Sequence, residues 1–230
     1  MNSVPENLIP WLFGGFVLTL FGFRGLASYR RLNTPLSKYF AITGISMGIA
    51  FFLWSLPFIF TTSEPVIRAG LILGDIFFYT MLITQTRVIW HLRFQRINYL
   101  WFFIPALITA FIGWFSFAKA TLNSPVGVVD GVAEIPVTVV SHAAQAILLS
   151  LLVVVAILML LDTRKQKTLK SKLGLIAVAA LYMGGGVGGI ANVITLEAQA
   201  NTTPVVFLTY TLGFFICAAL IVVFRIVKSK

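Results

Sequence analysis

Charge is what this sequence has least of. Only 10% of its 230 residues are Asp, Glu, Lys or Arg, where a soluble domain carries roughly a quarter. With 59% hydrophobic residues and a mean hydropathy of +0.96, the chain has too few polar groups to cover its apolar surface in water. Cysteine is nearly absent, and a lone Cys217 excludes a disulfide framework. The two histidines, His91 and His142, fall near opposite membrane faces, which excludes a bis-His haem, and no Cys, His and carboxylate cluster has metal-ligand spacing. The N-terminal stretch lacks both a basic n-region and an A-x-A-like cleavage site, so it reads as a retained helix rather than a removed signal peptide.

What the chain does have is seven apolar stretches, at 7 to 28, 38 to 61, 66 to 90, 97 to 118, 136 to 161, 172 to 196 and 204 to 226. Each is near the roughly 20 residues that a hydrocarbon core demands of a helix. Lipid offers the backbone no hydrogen-bond partner, and barrel-type alternation is absent, so the spans are expected to be helical. The expected fold is an all-α membrane protein: a seven-transmembrane helix bundle forming one domain over residues 1–230, with no room left for a soluble domain.

The net charge of +10 is distributed unevenly. Arg24, Arg30, Arg31 and Lys38 flank the first connection, Arg87, Arg93 and Arg96 the third, Arg164, Lys165, Lys167, Lys170 and Lys172 the fifth, and Arg225, Lys228 and Lys230 the tail. Only Arg68 and Lys119 fall on the other side. The positive-inside rule makes the basic connections cytoplasmic, giving an N-out/C-in orientation. Anionic lipid, not nucleic acid, is the expected partner of that face.

Spans one to three and five to seven share local signals in the same order. Ile9-Pro10 and Ile135-Pro136 open the first of each set, Ser37-Lys38 and Ser171-Lys172 lead into the second, and Pro65-Val66 and Pro204-Val205 open the third. Met47-Gly48 matches Met183-Gly184, and Leu73-Gly74 matches Leu212-Gly213. This is the pattern of a 3+1+3 parallel repeat, 7–90 and 136–226 joined by a linker helix at 97–118, although Pro at helix starts and Gly within spans are common in membrane helices anyway. The long connection 119–135, with Pro and Gly turn signals, reads either as a cover over an outer cavity or as a tether between helix ends.

Asp75 is the one carboxylate well inside a span. An ionisable group there is costly and is a functional-site candidate by default. At about 1.5 Å per residue it lies roughly 13 Å below the outer end of its span, and His142 roughly 9 Å below the outer end of the fifth. Gln145 shares the helical face of His142, and Tyr182, Asn192 and Thr209 approach similar depths. Together these six form a candidate ligand-binding pocket opening outward, centred on Asp75 and His142. The alternative is interhelical hydrogen bonding that holds the bundle together. A His beside a carboxylate would also suit proton sensing.

Several sharper readings fail. Gly44-Ile-Ser46-Met-Gly48 matches G-x-S-x-G but lies in a helix rather than a strand-to-helix elbow. Gly184-Gly-Gly-Val-Gly-Gly189 lacks the Lys and strand of a phosphate loop, and is better read as a small-residue packing face formed by Gly185 and Gly189. Thr86-Arg87-Val88 lacks the acid and the Tyr of the Asp/Glu-Arg-Tyr motif of rhodopsin-type receptors, so Arg87 reads as a snorkelling inner-end Arg. The last span has no Lys between Pro204 and Arg225 to bind retinal, and Asn201-Thr-Thr203 is an outer-face glycosylation sequon. No catalytic group and no cofactor is expected; the chain does not read as an enzyme.

Trp54, the run Phe103-Ile-Pro-Ala-Leu-Ile-Thr109, Gly188-Gly-Ile-Ala-Asn192, Thr203-Pro204, Phe207 and Arg225-Ile226 together resemble the seven-transmembrane N-terminal sensory region of some bacterial histidine kinases and related signalling proteins. The resemblance covers spans two to seven. It implies a multi-pass sensor in a bacterial inner membrane. Such regions usually feed a kinase or cyclase domain, and with none before Lys230 the expectation is signalling through a separate cytoplasmic or membrane partner. The competing expectations are a small-solute transporter, whose 3+1+3 layout is similar to that of the sugar-transporting SWEET proteins and for which a protonatable Asp75 would suit proton coupling, and a non-catalytic subunit of a membrane complex. Against the transporter, the sequence has no Pro-Gln pair, and spans one and five lack a mid-helix Pro.

Overall fold

The computed structural model describes residue 5 and residues 8–129 and 131–198, with the side chains of 32, 170 and 192–198 outside the description. Six helices dominate it: α1 (Ile9–Leu32), α2 (Pro35–Phe60), α3 (Glu64–Arg93), α4 (Leu100–Asn123), α5 (Val139–Asp162) and α6 (Leu169–Ala198). All six are long and apolar enough to cross a membrane, the organisation of a multi-pass membrane protein. The span expected at 204–226 lies outside the described residues.

Helix starts follow local chemistry. Pro10, Pro35 and Pro65 occupy the first turns of α1, α2 and α3, where a missing N–H costs nothing. At α5 the Thr138 side chain accepts from the Ser141 N–H while the Ser141 hydroxyl accepts from the Thr138 N–H, a reciprocal cap. That cap sets the helix start at Val139 rather than 136. The α1–α2 connection is only Asn33 and Thr34, because Asn33 adopts a left-handed φ of 48° that ends α1 at once. Apolar content alone ended the first span near residue 28. The helix outlasts its apolar run and carries Arg30 and Arg31 on its last turn.

The α1–α2 contact is the most extensive in the described bundle. A Cβ built on Gly22 would sit 2.5 Å from the Ile45 backbone nitrogen, one on Gly44 2.7 Å from the Gly22 Cα, and one on Gly48 2.9 Å from the Gly15 carbonyl oxygen. The Gly44 to Gly48 segment, catalytic in appearance, is therefore a small-residue helix seam. The same kind of contact joins α5 and α6, with a correction to its register. Gly189 and Gly186 press on Leu149 and Val153, whereas Gly185 makes only ordinary contact at 3.8 Å. Gly185 is exposed and Gly186 buried, so the packing face is set one residue on from the expected Gly185.

α3 is the central helix, packed on α2, α4 and α5. Connection 119–135 becomes the end of α4 plus a hairpin, β1 (Gly127–Val129) antiparallel to β2 (Val132–Glu134), with Gly131 at φ 78° in its turn. Val126 and Ala133 pack into a cluster with Leu8, Phe58, Ile67, Leu71 and Phe117, so the hairpin covers that end of the bundle.

At the opposite, basic end, Arg93 forks onto Asp162 at 2.9 and 3.3 Å, tying α3 to α5, with Lys165 3.1 Å from the same carboxylate. Arg87 donates to the Tyr39 hydroxyl at 3.2 Å and lies over the Trp90 and Tyr99 rings, 4.5 and 4.3 Å from their centroids, so its charge is spent inside the protein. A double-mutant cycle on Arg93→Gln and Asp162→Asn, read by thermal unfolding, is expected to give a coupling of about 1 kcal/mol, the upper range for a surface pair and in keeping with side chains only 26% and 18% exposed. Zero coupling would mean that the fork contributes no stability.

Candidate functional site

Asp75 lies eleven residues into α3 and is completely buried, and neither carboxylate oxygen has a hydrogen-bond partner among the described residues. Two indoles grip the turn before it. Trp54 of α2 donates to the Leu71 carbonyl at 3.2 Å, and Trp114 of α4 to the Ile72 carbonyl at 3.4 Å. A Cβ on Gly74 would meet the Trp54 ring at 2.5 Å, so only glycine lets that indole seat against the helix. These contacts hold the carboxylate's backbone in place without satisfying the carboxylate.

One turn further along α3, Tyr79 connects Asp75 to α5. Its hydroxyl points at the Ser141 carbonyl, 3.5 Å away, beside the Gln145 side chain, and Asp75 is the charge it faces. Helix α4 closes over this phenol through Gly113, where a Cβ would lie 2.2 Å from the Tyr79 oxygen and 2.6 Å from the Ala144 Cβ. His142, next after Ser141, is 4% exposed. Asp75 and Gln145 thus both act on Tyr79, while His142 follows Ser141 on α5. Asp75 and His142 do not bond directly, because both carboxylate oxygens are unpartnered. The site is closed: above it stand Leu71 and Ile67, then Val126 and Ala133 of the hairpin region.

Tyr182 belongs to a second layer. Its ring packs edge-on against Phe40 at 5.8 Å, and its hydroxyl faces Thr43 without closing a hydrogen bond. Gln85 of α3 donates to the same Thr43 hydroxyl at 2.9 Å and to the Met81 carbonyl at 2.8 Å, leaving its own carbonyl oxygen unpartnered. Gln85 is ten residues past Asp75, about 15 Å along the helix. Phe78 and Leu82, both buried, lie between the two layers on α3. Depth counted along one helix placed Tyr182 with Asp75 because it ignores tilt and stagger. The Asn192 side chain and Thr209 lie outside the described residues.

Tyr79, Gln85 and Thr43 are the members that sequence reasoning missed. A spacing of four from Asp75 on one helical face was the available signal for Tyr79. Among the described residues no three His, Cys, Asp or Glu gather as a metal site. Chemically, an unpaired carboxylate with a phenol and an amide nearby suits a small cationic or hydrogen-bond-donating guest. No protein-family model, curated protein or solved structure matches this chain.

Proposed function

We propose that this protein is a membrane-embedded sensor of seven-helix, N-out/C-in form, in which 204–226 supplies the last crossing and a bacterial inner membrane is the setting. The observation that carries the reading is Asp75, fully buried with both oxygens unpartnered. A structural polar group in lipid is retained where it makes hydrogen bonds; one that makes none is costly and calls for a guest or a switch. Binding a small cation or donor between Asp75, Tyr79, Gln145 and His142 from the hairpin side would favour one of two helix arrangements, and only differential affinity for the two can pass a signal on. The basic end, set by the charge alternation, would present that change to a separate signalling partner.

The second reading is a small-solute transporter, favoured by the Thr43, Gln85 and Tyr182 layer, whose two unpartnered atoms form a deeper polar station on α3. The two are separated in proteoliposomes. A panel of small amines, amino acids and monovalent cations is screened by thermal shift on wild type and Asp75→Asn, and each hit is then tested for counterflow. The sensor reading expects a hit whose affinity falls about tenfold or more in Asp75→Asn, the worth of a charge-assisted hydrogen bond, without flux. Counterflow that depends on Asp75 would establish the transporter instead.

A further inference from the structure

We infer that the corner between α3 and α4 at the basic end is a binding site for one anionic phospholipid. Two hollows, one along the first turns of α4 and one in the connection into it, make the case. The first is an apolar crevice of about 260 Å³ where α4 stands off from α3 and α5, lined by Thr86 and Ile89 of α3, Pro105 and Ala106 of α4, and Leu148 and Leu151 of α5. Pro105 lies inside α4, where its ring and missing N–H disturb the helix, and Ala106 supplies little bulk to fill the space. At about 30 Å³ for a water-sized group, the crevice holds roughly nine such groups in a row, which suits a length of acyl chain. Its walls give a polar solute almost nothing to bond.

The second hollow, about 600 Å³, is formed by the connection His91 to Ile97 that leads directly into α4. It carries His91, Arg93 and Arg96. Arg93 is held by Asp162, and Arg96 is exposed, with no acidic side chain within ion-pair distance among the described residues. Trp101, in the first turn of α4, lines the crevice and is 76% exposed, an amphipathic ring of the kind that seats at the headgroup level. A cationic hollow in the connection that leads into α4, followed by an apolar crevice along the first turns of α4 with an interfacial indole in its lining, matches a phosphate joined to an acyl chain. The phosphate sits on Arg96 and the chain lies along Pro105, Ala106 and Leu148. This narrows the general attraction of a basic face for anionic lipid to one place and one arginine, and it is independent of how the Asp75 site is used.

The test is native mass spectrometry of the intact protein titrated with phosphatidylglycerol or phosphatidylcholine, for wild type, Arg96→Gln, Ala106→Phe and Arg164→Gln. Phosphatidylglycerol is expected to bind wild type in a one-to-one complex, and Arg96→Gln to weaken it about fivefold, the worth of one interfacial arginine. Arg164→Gln, an exposed charge at the same end, should leave it unchanged. Ala106→Phe should fill the crevice and weaken both lipids; should that variant misfold, Thr109→Leu narrows the same space. Equal losses in Arg96→Gln and Arg164→Gln, or full binding with the crevice filled, would overturn the site in favour of diffuse surface attraction.

Discussion

Asp75→Asn should make the protein more stable and less functional at once. A completely buried carboxylate with two unpartnered oxygens is a cost in the folded state, since unsatisfied buried polar groups cost about 1 to 3 kcal/mol and more when charged. The amide keeps the shape and removes the ionisable group but is itself unpartnered there, so the unfolding midpoint is expected to rise by less than the roughly 1 to 3 kcal/mol of a buried unsatisfied group, while guest binding falls. Such opposition between stability and activity is characteristic of strained functional sites. A structural carboxylate behaves in the opposite way, and destabilisation by Asp75→Asn in thermal unfolding would identify Asp75 as part of the bundle's internal bonding. Tyr79→Phe separates the roles further, because the phenol contributes to the site but only weakly, at 3.5 Å, to the Ser141 carbonyl.

The second large effect is expected at the α1–α2 seam. Gly44→Val places a Cβ within 2.7 to 2.8 Å of backbone atoms of Gly22 and Leu18. Backbone cannot rotate aside as a side chain does, so α1 must move away, and a loss of about 3 kcal/mol or more is expected, at the severe end of overpacking. Among the described residues α1 packs chiefly on α2. Gly184→Ala is the internal control: among the described residues nothing lies within 4 Å of its Cβ, and removing a helix glycine stabilises by up to about 1 kcal/mol. Equal unfolding midpoints for the two variants would show that the seam does not hold the helices together.

Helix existence was legible because composition leaves the backbone no other way to satisfy itself in lipid. Helix ends were less so. Apolar runs mark the hydrocarbon slab, whereas α1 and α3 continue past it with Arg30, Arg31 and Arg93 on their last turns. Asp75 stood out as a lone acid within a span, and the buried, unpartnered geometry keeps it at the centre. Tyr79 did not stand out, because a tyrosine in a membrane helix is more often an interfacial anchor, and only the position of α5 and the gap at Gly113 show what its hydroxyl faces. Gly44 and Gly48 carried a visible motif whose meaning depended on a partner helix, and no local pattern names the partner. The hairpin's role turned on Val126 and Ala133 finding Leu71 and Phe117, a contact between segments far apart in the chain.

For a sensor built on Asp75, the closed site must open to one side of the membrane. Gln145→Cys in a Cys217→Ser background puts a single thiol into that site, and a charged, membrane-impermeant thiol reagent can be applied separately to right-side-out and inside-out vesicles. Slow labelling is expected from the hairpin side and none from the basic side, with suppression of that labelling by any solute found to bind. Labelling from neither side would leave Asp75 in a sealed core and contradict the sensor reading, and equal labelling from both sides would contradict one-sided sensing.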